Sequence, residues 1–371
     1  MRLKKIGIIG TGKIAIDHAS AAKDLGATIV SGSCSSERSR NWKKFKTKFP
    51  QAVYEPDSKK LLNDPNIDGL ISCLPYNIQA EWAESLLSSS KPILIEKPLA
   101  LEKENISNLL SNKDLYLKNK LIGYNRRYYK TVDSLKKRVS KGGIRSAEIV
   151  ISEGVKKLVE RRGENILKYI LETSSSCHIL DIANYVFGEL KVVKSYSNYS
   201  YSNQNKYYLS FNGILENKEK KPIFYTINSE DPSKVGISCR FEDCTKWDLK
   251  PIERLTVFKG YTIKERTPLR QVKEYQPNVI ENEIEDSKFN PGFSKMAISL
   301  DRVSTFSLSL PSLSSSLKST SSIDPSNPLA AKSGLKISLL ILSPISGCPF
   351  RATISSKVAP FGISISLSPS G

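Results

Sequence analysis

An isoleucine-rich run, Lys5 to Ile9, passes without a break into Gly10-Thr11-Gly12-Lys13-Ile14-Ala15. Such a run reads as a buried strand, and Ile14 to Leu25 has the spacing of a helix. A strand that turns through Gly-x-Gly-x-x-Ala into a helix belongs to an open parallel sheet. Gly10 permits the tight turn, Gly12 lets the backbone approach a pyrophosphate, and Ala15 keeps the helix close to the sheet. The helix start offers its free N–H groups to phosphate oxygens. Gly10, Thr11, Gly12, Lys13 and Ile14 are therefore assigned to binding a dinucleotide.

The alternation continues. Ala27–Ser31 is the next strand, followed by Ser31-Gly32-Ser33-Cys34-Ser35-Ser36-Glu37-Arg38. An acid directly at that strand end would hold the ribose 2′-hydroxyl of NAD. Here hydroxyls such as Ser35, with Arg38, suit a 2′-phosphate, which favours NADP over NAD; Glu37 keeps NAD open. Lys43–Gln51 reads as a helix, Val53-Tyr54 as a short strand, Ser58–Asn63 as a helix and Ile67–Ser72 as a strand. Leu74, Pro75 and Asn77 then lie at a second carboxyl end, where they can line the cofactor ribose. Ile78–Leu87 is helical, Ile93–Ile95 a strand, Leu99–Ser111 a helix and Leu121–Gly123 a strand. The fold class is α/β, with a doubly wound parallel sheet first.

Ile93–Ile95 ends on Glu96-Lys97-Pro98. Proline cannot donate to a ladder and biases Lys97 away from helical geometry, so the chain turns there. Ligands of such sheets bind in the crevice at the carboxyl ends, which sets Lys97 in the cleft. The plain alternative is a surface ion pair beside a turn.

A chain of 371 residues has room for two domains. The net charge of +19 is spread over scattered lysines rather than one basic stripe, which argues against nucleic acid and for an anionic substrate or cofactor. Six cysteines show no CxxC pair and no metal-ligand spacing, in keeping with a reducing cytoplasm and no metal. The apolar run behind Met1 is too short for a signal-peptide core, and no stretch has the length of a membrane span. The expectation is a cytoplasmic protein without membrane contact.

Gly10-Thr11-Gly12, Glu96-Lys97-Pro98, Gly123-Tyr124-Asn125-Arg126-Arg127 and His178-Ile179-Leu180-Asp181 with Phe187-Gly188 occur in that order. On these residues the chain resembles the Gfo/Idh/MocA family of NAD(P)-dependent sugar oxidoreductases over roughly residues 3 to 295. It is also similar to members acting on sugars of bacterial surface polysaccharides. The resemblance implies a cis bond before Pro98 and a second, α+β domain built on an open, mostly antiparallel sheet. It further implies a homo-oligomer formed through that sheet, a sugar or nucleotide-sugar substrate, and Glu96 and Asn125 at the cofactor. The sequence agrees with such a domain. Tyr129–Val139 and Ser174–Phe187 read as helices, and Ala147–Ser152, Lys191–Ser197, Tyr207–Leu215, Pro222–Asn228, Val235–Glu242 and Thr245–Leu249 as strands. The expected division is 1–123, 124–295 and 296–371.

Oxidising a hydroxyl needs a base within reach of its proton. Lys97 is assigned as the acid/base, oriented by Glu96, and the family position makes His178 its partner in the proton relay. His18, in the first helix, is read as structural. Tyr124, Arg126, Ser174 and His178 join Lys97 as substrate contacts; Arg126, Arg127, Lys157 and Arg161 suit an acidic substituent or a nucleotide diphosphate. Family members often carry an Asp four residues before this histidine, on the same helical face. Here that position is Ser174, which cannot act as a carboxylate base. From Met296 onward the composition turns serine-rich, with only Asp301 and Asp324 acidic. The tail is read as non-native, such as a frameshifted ending, or as a disordered extension. Two other functions fit parts of the pattern: a cofactor-holding sensor without turnover, and a lyase or hydrolase that oxidises transiently on bound NAD.

Overall fold

The computed structural model describes residues 3–101, 119–202, 206–268, 271–285 and 291–306. Six strands, β1 (Lys5–Ile9), β2 (Thr28–Ser33), β3 (Val53–Tyr54), β4 (Gly69–Ser72), β5 (Ile93–Ile95) and β6 (Lys120–Ile122), form one sheet in the order β3-β2-β1-β4-β5-β6. Every pairing in it is parallel. Parallel strands need crossovers that cover both faces, which is why Ile6, Ile8 and Ile9, Leu70 and Ile71, and Ile93 to Ile95 are all buried. Four helices come after strands of this sheet: α1 (Lys13–Asp24), α2 (Arg40–Lys48), α3 (Ser58–Asn63) and α4 (Tyr76–Ser88). The strand order reverses between β1 and β4, the point where ligands of such sheets bind.

Two boundaries differ from expectation in ways that matter. β2 runs on to Ser33, because Gly32 lies flat beneath Trp42 and Phe45 and the ladder with β1 continues through it. The strand end therefore carries Ser33, whose hydroxyl bonds that of Ser58 at 2.6 Å. α4 begins at Tyr76, two residues early, so Asn77 stands in its exposed first turn. The expected helix Leu99–Ser111 lies, from residue 102, outside the described residues.

A short 3-10 turn, Asn125–Tyr128, leads from β6 into the second layer. Its sheet has the order β14-β13-β12-β11-β7-β10-β9-β8, from β7 (Ile144–Glu153), β8 (Lys191–Ser202), β9 (Lys206–Glu216), β10 (Pro222–Ser229), β11 (Gly236–Phe241), β12 (Thr245–Leu249), β13 (Arg254–Lys264) and β14 (Glu274–Ile284). Only β7 and β10 pair in parallel, so the open, mostly antiparallel sheet implied by the resemblance is what the chain forms. Its core joins buried residues of the sheet with those of α5 (Lys130–Ser140), α6 (Val155–Arg162), α7 (Ile170–Thr173) and α8 (Ser176–Phe187). The β13–β14 hairpin was not foreseen. Beyond Phe258 its residues are exposed on both faces, so no in-and-out alternation marks it. Both Lys97–Pro98 and Lys250–Pro251 are cis.

After the second sheet the chain returns to the first layer in α9 (Phe293–Phe306), which runs through the compositional break at Met296. Phe293, Met296, Ala297 and Leu300 are buried at the i, i+3, i+4, i+7 spacing of one helical face, and Phe293, Met296 and Leu300 join the core around α1. Asp301 Oδ1 accepts from the Leu3 amide at 2.8 Å. Gly292 makes this return possible: its φ is +84°, and a side chain there would drive into the Asn125 carbonyl. The remainder of the serine-rich segment, from residue 307, lies outside the described residues.

Phe293 stacks face to face on His18, ring centroids 4.1 Å apart. Phe293→Ala should lower unfolding stability by about 3 kcal/mol or more, as for other buried aromatic truncations. A urea midpoint unchanged from wild type would show that α9 does not hold the first layer.

Candidate active site

The carboxyl ends of four parallel strands meet the second layer in one cleft of about 630 Å³, within the roughly 300–1,000 Å³ of small-molecule sites. Strand β1 delivers Gly10, whose φ is +83° and whose missing side chain is required: a Cβ would lie 2.5 Å from the Cys73 carbonyl oxygen. Gly12, by contrast, has an ordinary φ of −72° and open space where its Cβ would stand. It is the N-cap of α1 without a side-chain cap, so the first amides of the helix face that space. Thr11 is buried, with an Oγ1 that has no partner among the described residues. Ile14 lines the cleft from the first turn of α1.

Strand β4 contributes Leu74 and Pro75 to the lining, with Tyr76, which the sequence reading passed over. Strand β5 contributes Glu96 and Lys97. Glu96 meets Lys97 through its backbone rather than its side chain. Its Oε1 takes His18 Nε2 at 2.7 Å, and its Oε2 takes the Lys97 backbone amide at 3.1 Å. His18 is buried in the first helix, and its ring fixes an acid of the cleft. The Lys97 amine instead crosses to the second layer, donating to the carbonyl oxygens of Thr173 and Ser174, each at 3.2 Å.

The segment after β6 divides its charges. Asn125 and Arg126 line the cleft, and Asn125 Nδ2 also donates to the Pro291 carbonyl. Arg127 does not line it. Its guanidinium forms a two-pronged pair with buried Asp181 and lies over the rings of Tyr124 and Tyr185, which removes it as a substrate contact. Tyr124 is likewise not part of the lining; its ring meets that of His178 edge-on at 6.1 Å.

His178 stands in the first turn of α8 and lines the cleft, with Nδ1 buried and unpartnered among the described residues. Burial pushes its pKa well below the ordinary imidazole value, and the charges of Lys97 and Arg126 push it further down. The ring is held neutral. Ser174 is not on the same helical face. The backbone breaks between α7 and α8, leaving Ser174 extended at φ −101°, ψ −157°, because α8 starts only at Ser176.

A carboxylate does stand beside Ser174, and a strand of the second sheet supplies it. Glu153, at the carboxyl end of β7, is buried in the cleft wall, and its Oε1 accepts the Ser174 hydroxyl at 2.7 Å and both N–H and hydroxyl of Ser176. Its Oε2 has no hydrogen bond among the described residues. The sequence reading missed Glu153, although an acid directly after the apolar run Ile149-Val150-Ile151 is the same signal that singled out Lys97. Gly10, Thr11, Gly12, Lys13, Asn77, Ser35 and Arg38 are not in the lining; Ser35 and Arg38 are exposed beyond β2.

Residues 4–114 match the family model described as an oxidoreductase family with an NAD-binding Rossmann fold, Gfo/Idh/MocA. Over these residues the chain is similar to the Gfo/Idh/MocA family. The myo-inositol 2-dehydrogenase of Thermotoga maritima is 26% identical over 194 residues, which are 50% of this chain and 55% of that one. The chain thus spans about half the length of the curated relatives it matches. Among solved structures, an Agrobacterium radiobacter oxidoreductase in complex with NAD+ and L-tartaric acid superposes with a TM-score of 0.58 at 16% identity, covering 82% of this chain and 89% of its own. The biliverdin reductase of Synechocystis, in complex with biliverdin and NADP+, does so with 0.60 at 16%, covering 93% and 98%. At these identities the likeness to solved structures is one of fold. No helix among the described residues is long and apolar enough to cross a membrane.

The neutral His178 has a thermodynamic consequence. Below its ordinary value near 6.5 the imidazole is protonated in the unfolded chain and stays neutral in the folded one. The unfolded state then binds more protons, so this contribution to stability is complete above that pH and is lost as pH falls. His178→Gln should flatten the acid limb of stability against pH below about 6.5. Identical limbs in chemical denaturation would show that His178 titrates normally.

Proposed function

We propose that this chain is an NAD(P)-dependent oxidoreductase that moves a hydride between the cofactor and a hydroxyl or keto group of a sugar or related polyol. The observation that carries the reading is the convergence of Lys97 and His178 in one cleft at the carboxyl ends of the parallel sheet. In this reading the first layer with α9 holds the cofactor, and the second layer supplies the substrate wall.

The cradle fits a dinucleotide. The open space at Gly12 and the uncapped start of α1 suit a pyrophosphate. Gly10, Thr11, Lys13 and Ile14 surround that start, and Leu74, Pro75, Asn77 and Asn125 stand at the neighbouring strand ends. Ser33 is spent on Ser58, so recognition of the ribose 2′ position falls to the exposed loop with Ser35 and Arg38. Hydroxyls and a guanidinium favour the 2′-phosphate of NADP. When bound, the nicotinamide supplies the hydride acceptor or donor.

The chain's own residues handle the proton. Two of the bonds around Lys97 Nζ are committed to the Thr173 and Ser174 carbonyls. A tetrahedral nitrogen then has one direction left, holding an N–H in the ammonium and the lone pair in the amine. That direction serves the reacting oxygen, as acid towards a keto group or as base towards a hydroxyl. Neutral His178 is the second proton acceptor, with an unmet hydrogen bond that a ligand can complete. Glu96 acts on the backbone of Lys97 rather than its amine. Glu153 Oε2 is a ready acceptor for a substrate hydroxyl, and Ser174 orients Glu153 instead of replacing a base.

Two variants test this. Lys97→Ala should cut the oxidation of a responsive polyol by about 10²–10⁴-fold, while cofactor affinity persists; a panel including myo-inositol, followed by reduced-nicotinamide absorbance, reads it. A wild-type rate would remove Lys97 from the chemistry. Gly12→Ala should leave the fold intact, since a Cβ there meets nothing and the helix loses only a favourable N-cap, yet weaken cofactor binding. Unchanged cofactor affinity would move the pyrophosphate elsewhere.

A further inference from the structure

The two arginines of the 3-10 turn part company. In such a turn successive side chains point about 120° apart. Arg126 joins Lys157 and Arg161 of α6 in the cleft lining, whereas Arg127 reaches α8 instead. There its Nε donates to Asp181 Oδ2 at 2.9 Å and a terminal nitrogen donates to Oδ1. The Asp181 side chain is only 1% exposed. Burying an ion pair is seldom the stable choice, because apolar side chains of similar size can fill the same place without losing hydration. Folding alone gives no reason for a charged pair at this position.

What the pair touches supplies one. His178, Asp181 and Tyr185 stand at i, i+3 and i+7 of α8, along one helical face. The Arg127 guanidinium lies over the Tyr124 ring at 5.8 Å, and that ring in turn meets the His178 imidazole edge-on at 6.1 Å, with an interplanar angle of 83°. Arg127 also lies over the Tyr185 ring at 5.4 Å, and the Lys136 amine closes on the same ring at 3.3 Å. One guanidinium thus reaches His178 by two routes, through the helix that carries it and through the ring beside it. The imidazole needs that support. Its buried Nδ1 has no hydrogen bond among the described residues, so this side of the ring is restrained by packing.

We propose that Arg127 is a positioning residue for His178: it clamps Tyr124 against the imidazole and, through Asp181, sets the turn of α8 from which the imidazole enters the cleft. The proposal rests on the oxidoreductase reading for what His178 does, and on the packing of Tyr124, Arg127 and Asp181 alone for how it is held. The planar fork is what the role requires. A lysine would keep the charge, yet it can neither hold both carboxylate oxygens in parallel nor lie flat on a ring.

The chain has two histidines, so the ring-proton signals of His178 can be followed by NMR in the full chain without turnover, with His178→Gln assigning them. In wild type the imidazole stays neutral below its ordinary value near 6.5. In Arg127→Lys, and in Tyr124→Leu, which alters no charge, its titration should move up towards that value. Tyr124→Phe, which keeps the ring, should keep the wild-type curve. An unchanged His178 titration in Arg127→Lys and Tyr124→Leu would overturn the proposal; should Arg127→Lys fail to fold, Tyr124→Leu decides it alone. Turnover gives a second reading. Arg127→Lys should lower kcat for a responsive polyol about tenfold or more, leave the KM for the cofactor unchanged, and cost nothing further in the His178→Gln background. The same loss in both backgrounds would show that Arg127 does not act through His178. A wild-type chain that oxidises nothing, while the titrations shift as stated, sinks the oxidoreductase reading and leaves the clamp standing.

Discussion

Glu96 fixes the geometry of the whole site. It ends a three-residue buried strand, and each of its oxygens is taken, one by His18 and one by the amide of the next residue. That double commitment sets the direction in which Lys97 leaves the sheet. It also presses the carboxylate against Gly123 at the end of β6, where a Cβ would come within 3.0 Å of Glu96. His18 is held in turn by Phe293, which the chain supplies only after traversing the second sheet. A single carboxylate thereby ties together strands β5 and β6, helix α1 and helix α9.

Much of this could be read from residues that obey local rules. The Gly10 turn, the parallel strands and the turn at Pro98 announce themselves because each is decided within a few neighbours. Side-chain partners separated by long stretches of sequence could not be read this way. That Glu96 would meet Lys97 was legible from adjacency, but its second partner is a histidine 78 residues away. Arg127 looked like a substrate contact until Asp181, on another helix, claimed it. The break at Ser174 was hidden because Glu172 to Cys177 is a polar run with no breaker residue, and only the pull of Glu153 on Ser174 and Ser176 gives the reason for it. The helix at Phe293 went unread, because the serine-rich composition of its second half and of the tail masked its apolar spacing.

The overall excess of positive charge divides into two kinds. Most lysines stand on solvated faces, where screening makes them nearly independent. Those on the inner face of α6 share one concave wall with Lys97 and His178, where field lines concentrate. Two cations of that cleft already act on the site, since Lys97 and Arg126 help hold His178 neutral.

The bonds from Lys97 to the carbonyls of Thr173 and Ser174 join a side chain of the first sheet to the backbone of the second layer. Backbone carbonyls cannot be altered by substitution, so this half of the site is protected against single side-chain replacement. Its weak point is mechanical. Any relative slide of the two layers by an ångström would release the amine and change its hydrogen bonding, which makes the rigidity of the interlayer contact, rather than the identity of any one residue there, the quantity on which reactivity depends.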